Sequence, residues 1–386
     1  MFEEEREITP ELLTELSNTL IRKSDEVINI ILELMSLKDA IRKKLEEIGV
    51  LRKITDSVDE KIIGYAIDSS FAQVLPLVAG DFFVVTAGYI RYPRIHTFRK
   101  EENAGLKVGV RLLHTMTPSM RAISAYAHII ERKIALELLR QDWKFNTILI
   151  DGPILPLYIL YIPKRNLYDE EKKLIEITEE LVKTSKEKEV SIIGIVKRIR
   201  SRFIPRGFRS VLENVLGNKY SKLLKISNDK SLGSLVLLRS EAIFFGKIGE
   251  SKSAYDAVVG EEGFKRFADE FISDHPWLKE MELAIVKPKR SRQVISVEAL
   301  DYANLSFKDI LMWVNAHATN TGCPQILDYV DSYVQITSGL IEIARKLLIK
   351  IIADKIRQSG EFKEYEIIEL LLDYADLQKK YAPRMG

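Results

Sequence analysis

Three carboxylates sit where acidic side chains are not needed for solubility. Asp68 closes the apolar run IIGYAI and precedes Ser69-Ser70, and Asp151 closes TILI and precedes Gly152-Pro153. Both mark the point where a buried strand is expected to emerge, and groups at the carboxyl ends of strands in α/β sheets converge on one crevice. Glu131 is singled out by helical position. Its face neighbours Ala127, Ile134, Ala135 and Leu138 are apolar, whereas Glu137 shares its face with Lys133, Arg140 and Gln141 and reads as solvent-facing. A carboxylate on the inner stripe of a helix is costly to bury unless it is paired or bound to metal. Three acids reaching one sheet edge form a hard, oxygen-rich site suited to Mg²⁺ or Mn²⁺. Such an ion activates water and neutralises charge building on a phosphate during hydrolysis. Plainer uses stay open: either aspartate can form a turn or cap a helix, and Glu131 can be held in an ion pair in the neighbourhood of Arg132 or with a strand lysine.

The elements that must position these acids follow from periodicity. Residues from Thr9 to about Lys53 carry Leu13, Leu16, Leu20, Val27 and Ile31 at helical spacing, behind a Thr9-Pro10 start signal; the segment reads as two helices. Lys61–Asp68 and Phe82–Ile90 read as strands of a hairpin with a Gly80-Asp81 turn signal, and Val108–Leu113 as a third strand. Ser119–Gln141 is helical, Asn146–Ile150 a short buried strand, Glu170–Lys186 helical and Val190–Val196 a strand. Leu232–Ile248 and Leu283–Leu300 read as later strands, and the chain is expected to be mostly helix from Ile326 to the end. Antiparallel strands followed by helix, strand, helix and strand indicate an α/β mixed sheet with crossover helices, the ribonuclease H-like layout. The chain divides into a helical arm at 1–58, a core at 59–325 and a helical C-terminal region at 326–386.

The remaining signals are local. The 386 residues carry 58 Lys and Arg against 56 Asp and Glu, so the net charge of +2 exerts no global pull on nucleic acid or membrane. Basic residues nonetheless cluster at Lys197, Arg198, Arg200, Arg202, Arg206 and Arg209, just after a core strand. They can neutralise phosphates while Phe203 or Phe208 stacks on an exposed base, or simply form a solvated loop. A second cluster, Lys287, Lys289, Arg290 and Arg292, precedes another strand, and the two together suggest a basic channel. One cysteine, Cys323, excludes an intramolecular disulfide and a cysteine-rich zinc site. That usage, and a start without a secretory pattern, lead to the expectation of a cytoplasmic protein. No membrane span is expected, because the longest apolar stretch is broken by Asp151, Gly152, Pro153 and Pro156. No P-loop, dinucleotide fingerprint, zinc-protease histidine pair or serine-hydrolase elbow is present. The 30% charged fraction, heavy in Lys, Glu and Ile, matches proteins built on surface ion-pair networks for high temperature.

At IIGYAIDSS, IIERKIALELL, TILIDGPIL, SIIGIVKRIRS and TGCPQILDYVDSYVQI, in that order over about three quarters of the chain, the sequence resembles the NurA nuclease family. These are archaeal and bacterial DNA end-processing enzymes with a ribonuclease H-like, PIWI-related core. The resemblance implies manganese-dependent exonuclease and endonuclease activity on DNA, a homodimer, and work beside a hexameric HerA-type ATPase in end resection and repair. It also implies that Asp68, Glu131 and Asp151 bind the metal, and it singles out Lys197 as a phosphate contact. The last motif departs from the family's pattern: Cys323 stands where a tyrosine belongs and Asp331 where a histidine belongs. Asp331 remains competent as an oxygen ligand, and His317 is a candidate to replace the imidazole. An active enzyme with a rebuilt site, or a weakened or inactive paralogue serving as a DNA-binding or assembly subunit, are both compatible with those changes.

Overall fold

The computed structural model describes residues 10–55, 62–77, 80–93, 100–114, 119–197, 199, 201–221, 227–260 and 262–359. Among them the strands form one sheet: β1 (Leu51–Lys53), β2 (Gly64–Leu77), β3 (Gly80–Tyr92), β4 (Ala104–His114), β5 (Thr147–Asp151), β6 (Ser191–Val196), β7 (Glu241–Lys247), β8 (Glu282–Lys287) and β9 (Ile295–Leu300). Their spatial order is β1-β7-β8-β9-β6-β5-β2-β3-β4. β2, β3 and β4 are an antiparallel meander, β5 and β6 run parallel to β2 and to each other, and β9, β8, β7 and β1 extend the sheet antiparallel. The segment β4-β3-β2-β5-β6 is the ribonuclease H-like arrangement. β1 lies inside the stretch 1–58 that reads as a helical arm.

Helices cover both faces. The helices Ser119–Leu139 and Asp169–Glu187, each a crossover between parallel strands, share one apolar core with Ile148, Ile150 and Ile192. The helices Phe307–His317 and Gln325–Val334 share the other with Leu149, Ile193, Ile195 and Val297. Consecutive strand residues thus serve opposite cores, as the pleat requires. No described helix is long and apolar enough to cross a membrane.

Two expectations are corrected. Residues 10–47 are one helix, not two, because no Gly or Pro interrupts the sequence between Pro10 and Gly49, whose positive φ of 72° ends it; Thr9 lies outside the described residues. Its last turns bury Leu37, Ile41 and Leu45, while Leu13, Leu16, Leu20, Leu32 and Met35 remain exposed. Leu232–Ile248 begins as helix, Asp229–Val236, and only Glu241–Lys247 is strand. The reason is a reciprocal cap, in which Ser231 N–H donates to Asn228 Oδ1 and Asn228 N–H to Ser231 Oγ. The C-terminal helix is described as Ser338–Ser359; residues 360–386 lie outside the described set.

One glycine sets how closely the 152–154 turn approaches the sheet. A Cβ on Gly194 would meet Gly152 O at 2.8 Å and Ile154 N at 3.0 Å, both backbone atoms that cannot swing away. Gly194→Ala is therefore expected to cost about 1–3 kcal/mol by overpacking, read as a lower denaturant midpoint at unchanged slope. An unaltered midpoint would show that the turn yields freely.

Candidate metal centre

The pleat sorts the candidate residues between the faces. β2 and β5 run in parallel register from Gly64 opposite Thr147 to Ile67 opposite Ile150, so Asp68 and Asp151 are the next pair in step. Asp68 shares its face with Ala66, and Asp151 with Leu149, both in the core under Gln325–Val334. Asp68 is not at the end of its strand, as the sequence suggested: β2 continues to Leu77. It is β5 that stops, at Asp151, where Gly152 takes φ 135°, a value that side chains oppose. The crevice opens because one of two neighbouring strands ends.

The helix Gln325–Val334 brings Asp331 over this edge. Carboxylate oxygens of Asp68, Asp151 and Asp331 lie within 4.8 Å of one another. Asp68 is 7% exposed, whereas the Asp331 side chain is 63% exposed, so the cluster is open to solvent from the helix side. Burial, then the neighbouring carboxylates, raise the pKa of Asp68 well above the usual aspartate range. Burial also raises Asp151, against the pull of Lys197. Concentrated, desolvated negative charge of this kind favours a cation.

Lys197, which follows β6 and faces the same way as Ile195, supplies that charge from within the chain. Its Nζ is 2.6 Å from Asp151 Oδ2, 3.6 Å from Asp328 Oδ1 and 3.8 Å from Asp331 Oδ2. Burial opposes its charge, but Asp151 holds its pKa above the ordinary lysine range. Asp328 was missed from the sequence. It lies one helical turn before Asp331 and accepts hydrogen bonds from Thr319 Oγ1 at 2.5 Å and Thr321 Oγ1 at 3.0 Å. The Thr-x-Thr spacing ahead of two acids at i and i+3 was the available signal.

Glu131, expected in the same ligand set, is not one of the three clustered acids. It approaches from the opposite face and is 1% exposed. Ser69 Oγ donates to its Oε1, while Oε2 lies 3.0 Å from His128 Nδ1 and accepts from Arg132 Nη1 at 2.7 Å. Burial pushes its pKa up, but His128, Arg132 and Ser69 together hold it below the usual value. The ion pair left open by the sequence is thus present. Arg132 is fully buried and its other nitrogen donates to Pro153 O at 2.8 Å and Ile154 O at 3.0 Å. One guanidinium ties Glu131 to the turn that follows Asp151.

Other candidates go elsewhere. His317 does not replace the imidazole: its Nε2 is 2.7 Å from Tyr92 Oη, its Nδ1 2.9 Å from Trp313 O, and its ring stacks on Trp313. Cys323 is wholly buried among the apolar residues under the same helix, and burial drives its thiol pKa far up. Among the described residues of the basic run, Lys197 alone faces the acids. Arg202 and Arg206 line a cavity beside the other sheet face, Arg209 pairs with Glu213 at 2.8 Å, and Arg198 and Arg200 lie outside the described residues. Phe208, offered as a base-stacking ring, is 2% exposed and packs on Phe245; Phe203 is 5% exposed. Both are core residues because the run continues into short helices, Phe203–Gly207 and Arg209–Leu216. In the second basic cluster, Lys287 Nζ donates to Ser234 O and Leu237 O, closing the end of a helix.

The NurA domain model matches residues 64–336, and no curated protein matches the chain. Among solved structures, the NurA nuclease from Sulfolobus solfataricus is 15% identical with a TM-score of 0.53, over 90% of this chain and 99% of that one. A NurA structure with manganese is 10% identical with a TM-score of 0.54, over 90% and 99%. A further NurA structure is 12% identical with a TM-score of 0.52, over 87% and 97%. At such identities the likeness is one of fold.

Proposed function

The chain belongs to the NurA family, and from that premise we propose that it is a divalent-metal-dependent deoxyribonuclease acting in DNA end processing and repair. The observation that carries this reading is the convergence of Asp68, Asp151 and Asp331 within 4.8 Å on one sheet edge. Their donors are all carboxylate oxygens, which suits Mn²⁺ or Mg²⁺, and manganese is favoured by the relative whose structure contains it. When bound, such an ion supplies an activated water and neutralises charge on the phosphate being cleaved.

The chain's own residues do the rest. Asp68 and Asp151 face the crevice from rigid strands, and Asp331 closes the set from the helix above. Glu131 acts as the fourth acid of the site from behind: through Ser69 it fixes β2 beside Asp68, and through Arg132 it fixes the turn after Asp151. Lys197 pairs with the Asp151 carboxylate at 2.6 Å, and its ammonium at the edge of the acids is placed where it could also meet a phosphate of the strand. Arg198, Arg200 and Arg209 are left to supply further positive charge for DNA, since Arg202 and Arg206 line a cavity on the opposite side of the sheet.

The partners follow as part of the same proposal: a second copy of the chain, and a HerA-type hexameric ATPase, in the cytoplasm of a thermophilic archaeon. The exposed row Leu106, Val108 and Val110 on β4 supports a homodimer, since an edge strand seldom presents alternate apolar residues to water. Asp331 in place of the family's histidine supports a second reading, an inactive assembly subunit for that ATPase. Titrating Mn²⁺ and Mg²⁺ against the protein with end-labelled linear DNA separates the two. Metal-dependent release of nucleotides is expected. No cleavage at any metal concentration, with DNA binding retained, would establish the assembly role instead.

A further inference from the structure

A cavity of about 550 Å³ lies on the sheet face opposite the acidic cluster, lined in part by Pro153 and Val196, the neighbours of Gly152 and Lys197. Its floor is β9, where Ser296 and Glu298 alternate with the core residues Val297 and Ala299 and point the other way. Both are 2% exposed. Ser296 Oγ has no hydrogen-bond partner among the described residues, although burying a hydroxyl unpaired is costly. Glu298 accepts one hydrogen bond, from Ile154 N–H at 2.9 Å. The side walls include Tyr158 and Tyr161, and Arg202 and Arg206 stand at the rim, both half-buried. Arg202 makes no ion pair among the described residues, and Arg206 lies over the Tyr161 ring at 6.0 Å.

This is more than packing leaves behind. Volumes of roughly 300–1,000 Å³ with apolar walls and a few convergent polar groups are the usual form of a small-molecule site. Aromatic walls select a flat ring. A hydroxyl and a carboxyl side by side select a ring edge that both donates and accepts. Two guanidinium groups at the mouth select an anion, phosphate above all. A nucleobase attached to a phosphate meets all three demands; a sugar lacks the flat face, and an acyl chain leaves Ser296 and Glu298 unpaired.

We propose that this cavity binds a nucleoside monophosphate, its base against the tyrosine-lined wall with its edge on Ser296 and Glu298, and its phosphate at Arg202 and Arg206. The choice of a nucleotide rests on the nuclease reading; the cavity and its unpaired hydroxyl do not. The arrangement provides a place on the far side of the sheet for a released mononucleotide, distinct from the metal-binding edge. Burial raises Glu298 to about 7, so near neutrality its carboxyl is available in both donor and acceptor form.

The test is equilibrium dialysis of the four deoxynucleoside 5′-monophosphates against the full chain in EDTA, where no cleavage can occur. Saturable binding of one nucleotide per chain is expected, weakened at least about tenfold by Ser296→Leu, which fills the floor, and by Arg206→Ala. The Asp151→Asn background should keep it. Should Ser296→Leu fail to fold, Glu298→Gln serves, altering the preference among the four bases while retaining size. Absence of saturable binding, or binding lost in Asp151→Asn but kept in Ser296→Leu, overturns the proposal. Because no metal is present, either result is independent of whether the chain cleaves DNA.

Discussion

Replacing Asp151 or Asp68 by asparagine is expected to abolish metal-dependent DNA cleavage while leaving the metal-free fold intact or firmer. Stabilisation of a transferring phosphoryl group by a bound ion amounts to several kcal/mol, and at about 1.4 kcal/mol per tenfold its loss removes roughly three decades of rate. The stability effect has the opposite sign. Burial and the nearby acids raise the Asp68 pKa in the fold, so folding favours the protonated form. The stability associated with that proton is complete below the ordinary aspartate pKa and is lost as the pH climbs through the raised one. At neutral pH the fold therefore keeps a proton on Asp68 that the unfolded chain has released, which works against the metal-free fold, and the amide, neutral in both states, removes that cost. Bound metal works in the same direction in the parent, stabilising it in proportion to occupancy and releasing protons as it binds. Thermal melts with and without Mn²⁺, beside single-turnover cleavage, read both effects. Variants that cleave like the parent, or whose melts still rise with Mn²⁺ as the parent's do, would remove these aspartates from the metal site.

The second large effect is structural. Arg132 is fully buried and bonds Glu131 on its own helix and Pro153 and Ile154 beyond β5. Removing one partner of a buried ion pair leaves an uncompensated charge and costs about 3–5 kcal/mol. Arg132→Met is expected to show that loss in chemical denaturation and to depress cleavage even at temperatures where the variant is folded, because the turn carrying Asp151 loses its tether. Arg132→Lys should recover only part of either, since an ammonium cannot fork to the helix and the turn together. A midpoint shift below about 1 kcal/mol for Arg132→Met would mean that Glu131 finds another cation. The double variant Arg132→Met with Glu131→Gln separates charge from shape, because the amide keeps the contact to Ser69 and neither side chain then carries a buried charge.

The sequence carried the core of this arrangement because alternation and strand-ending signals are local. Asp151 could be placed from four apolar residues followed by Gly152-Pro153, and Glu131 from its apolar helix neighbours. What it could not carry was which partner each acid meets. Asp68 looks like a strand end because Ser69 and Ser70 break the apolar run, yet β2 continues through those serines paired to β3, a long-range fact. Arg132 adjoins Glu131 in sequence, and neighbours on a helix do not share a face; they meet because the long arginine turns back across the carboxylate toward the 152–154 turn. In the basic run, adjacency likewise misled. Lys197 faces the acids and Arg202 and Arg206 the opposite cavity, since a strand sends successive residues to opposite sides and the chain then coils. Asp328 escaped notice for want of context: its threonine partners come from the loop before the helix, and only folding sets them against Lys197.

The burial of Cys323 has a practical consequence for following this protein in solution. The sole thiol of the chain lies sealed in the core with its ionisation suppressed, and only the thiolate reacts with alkylating probes. A single cysteine introduced on an exposed helix position, such as Lys173→Cys, would thus carry one fluorophore per chain without first deleting the native residue. Distances between labelled copies, or between a labelled copy and a labelled DNA end, become measurable in the otherwise unaltered protein.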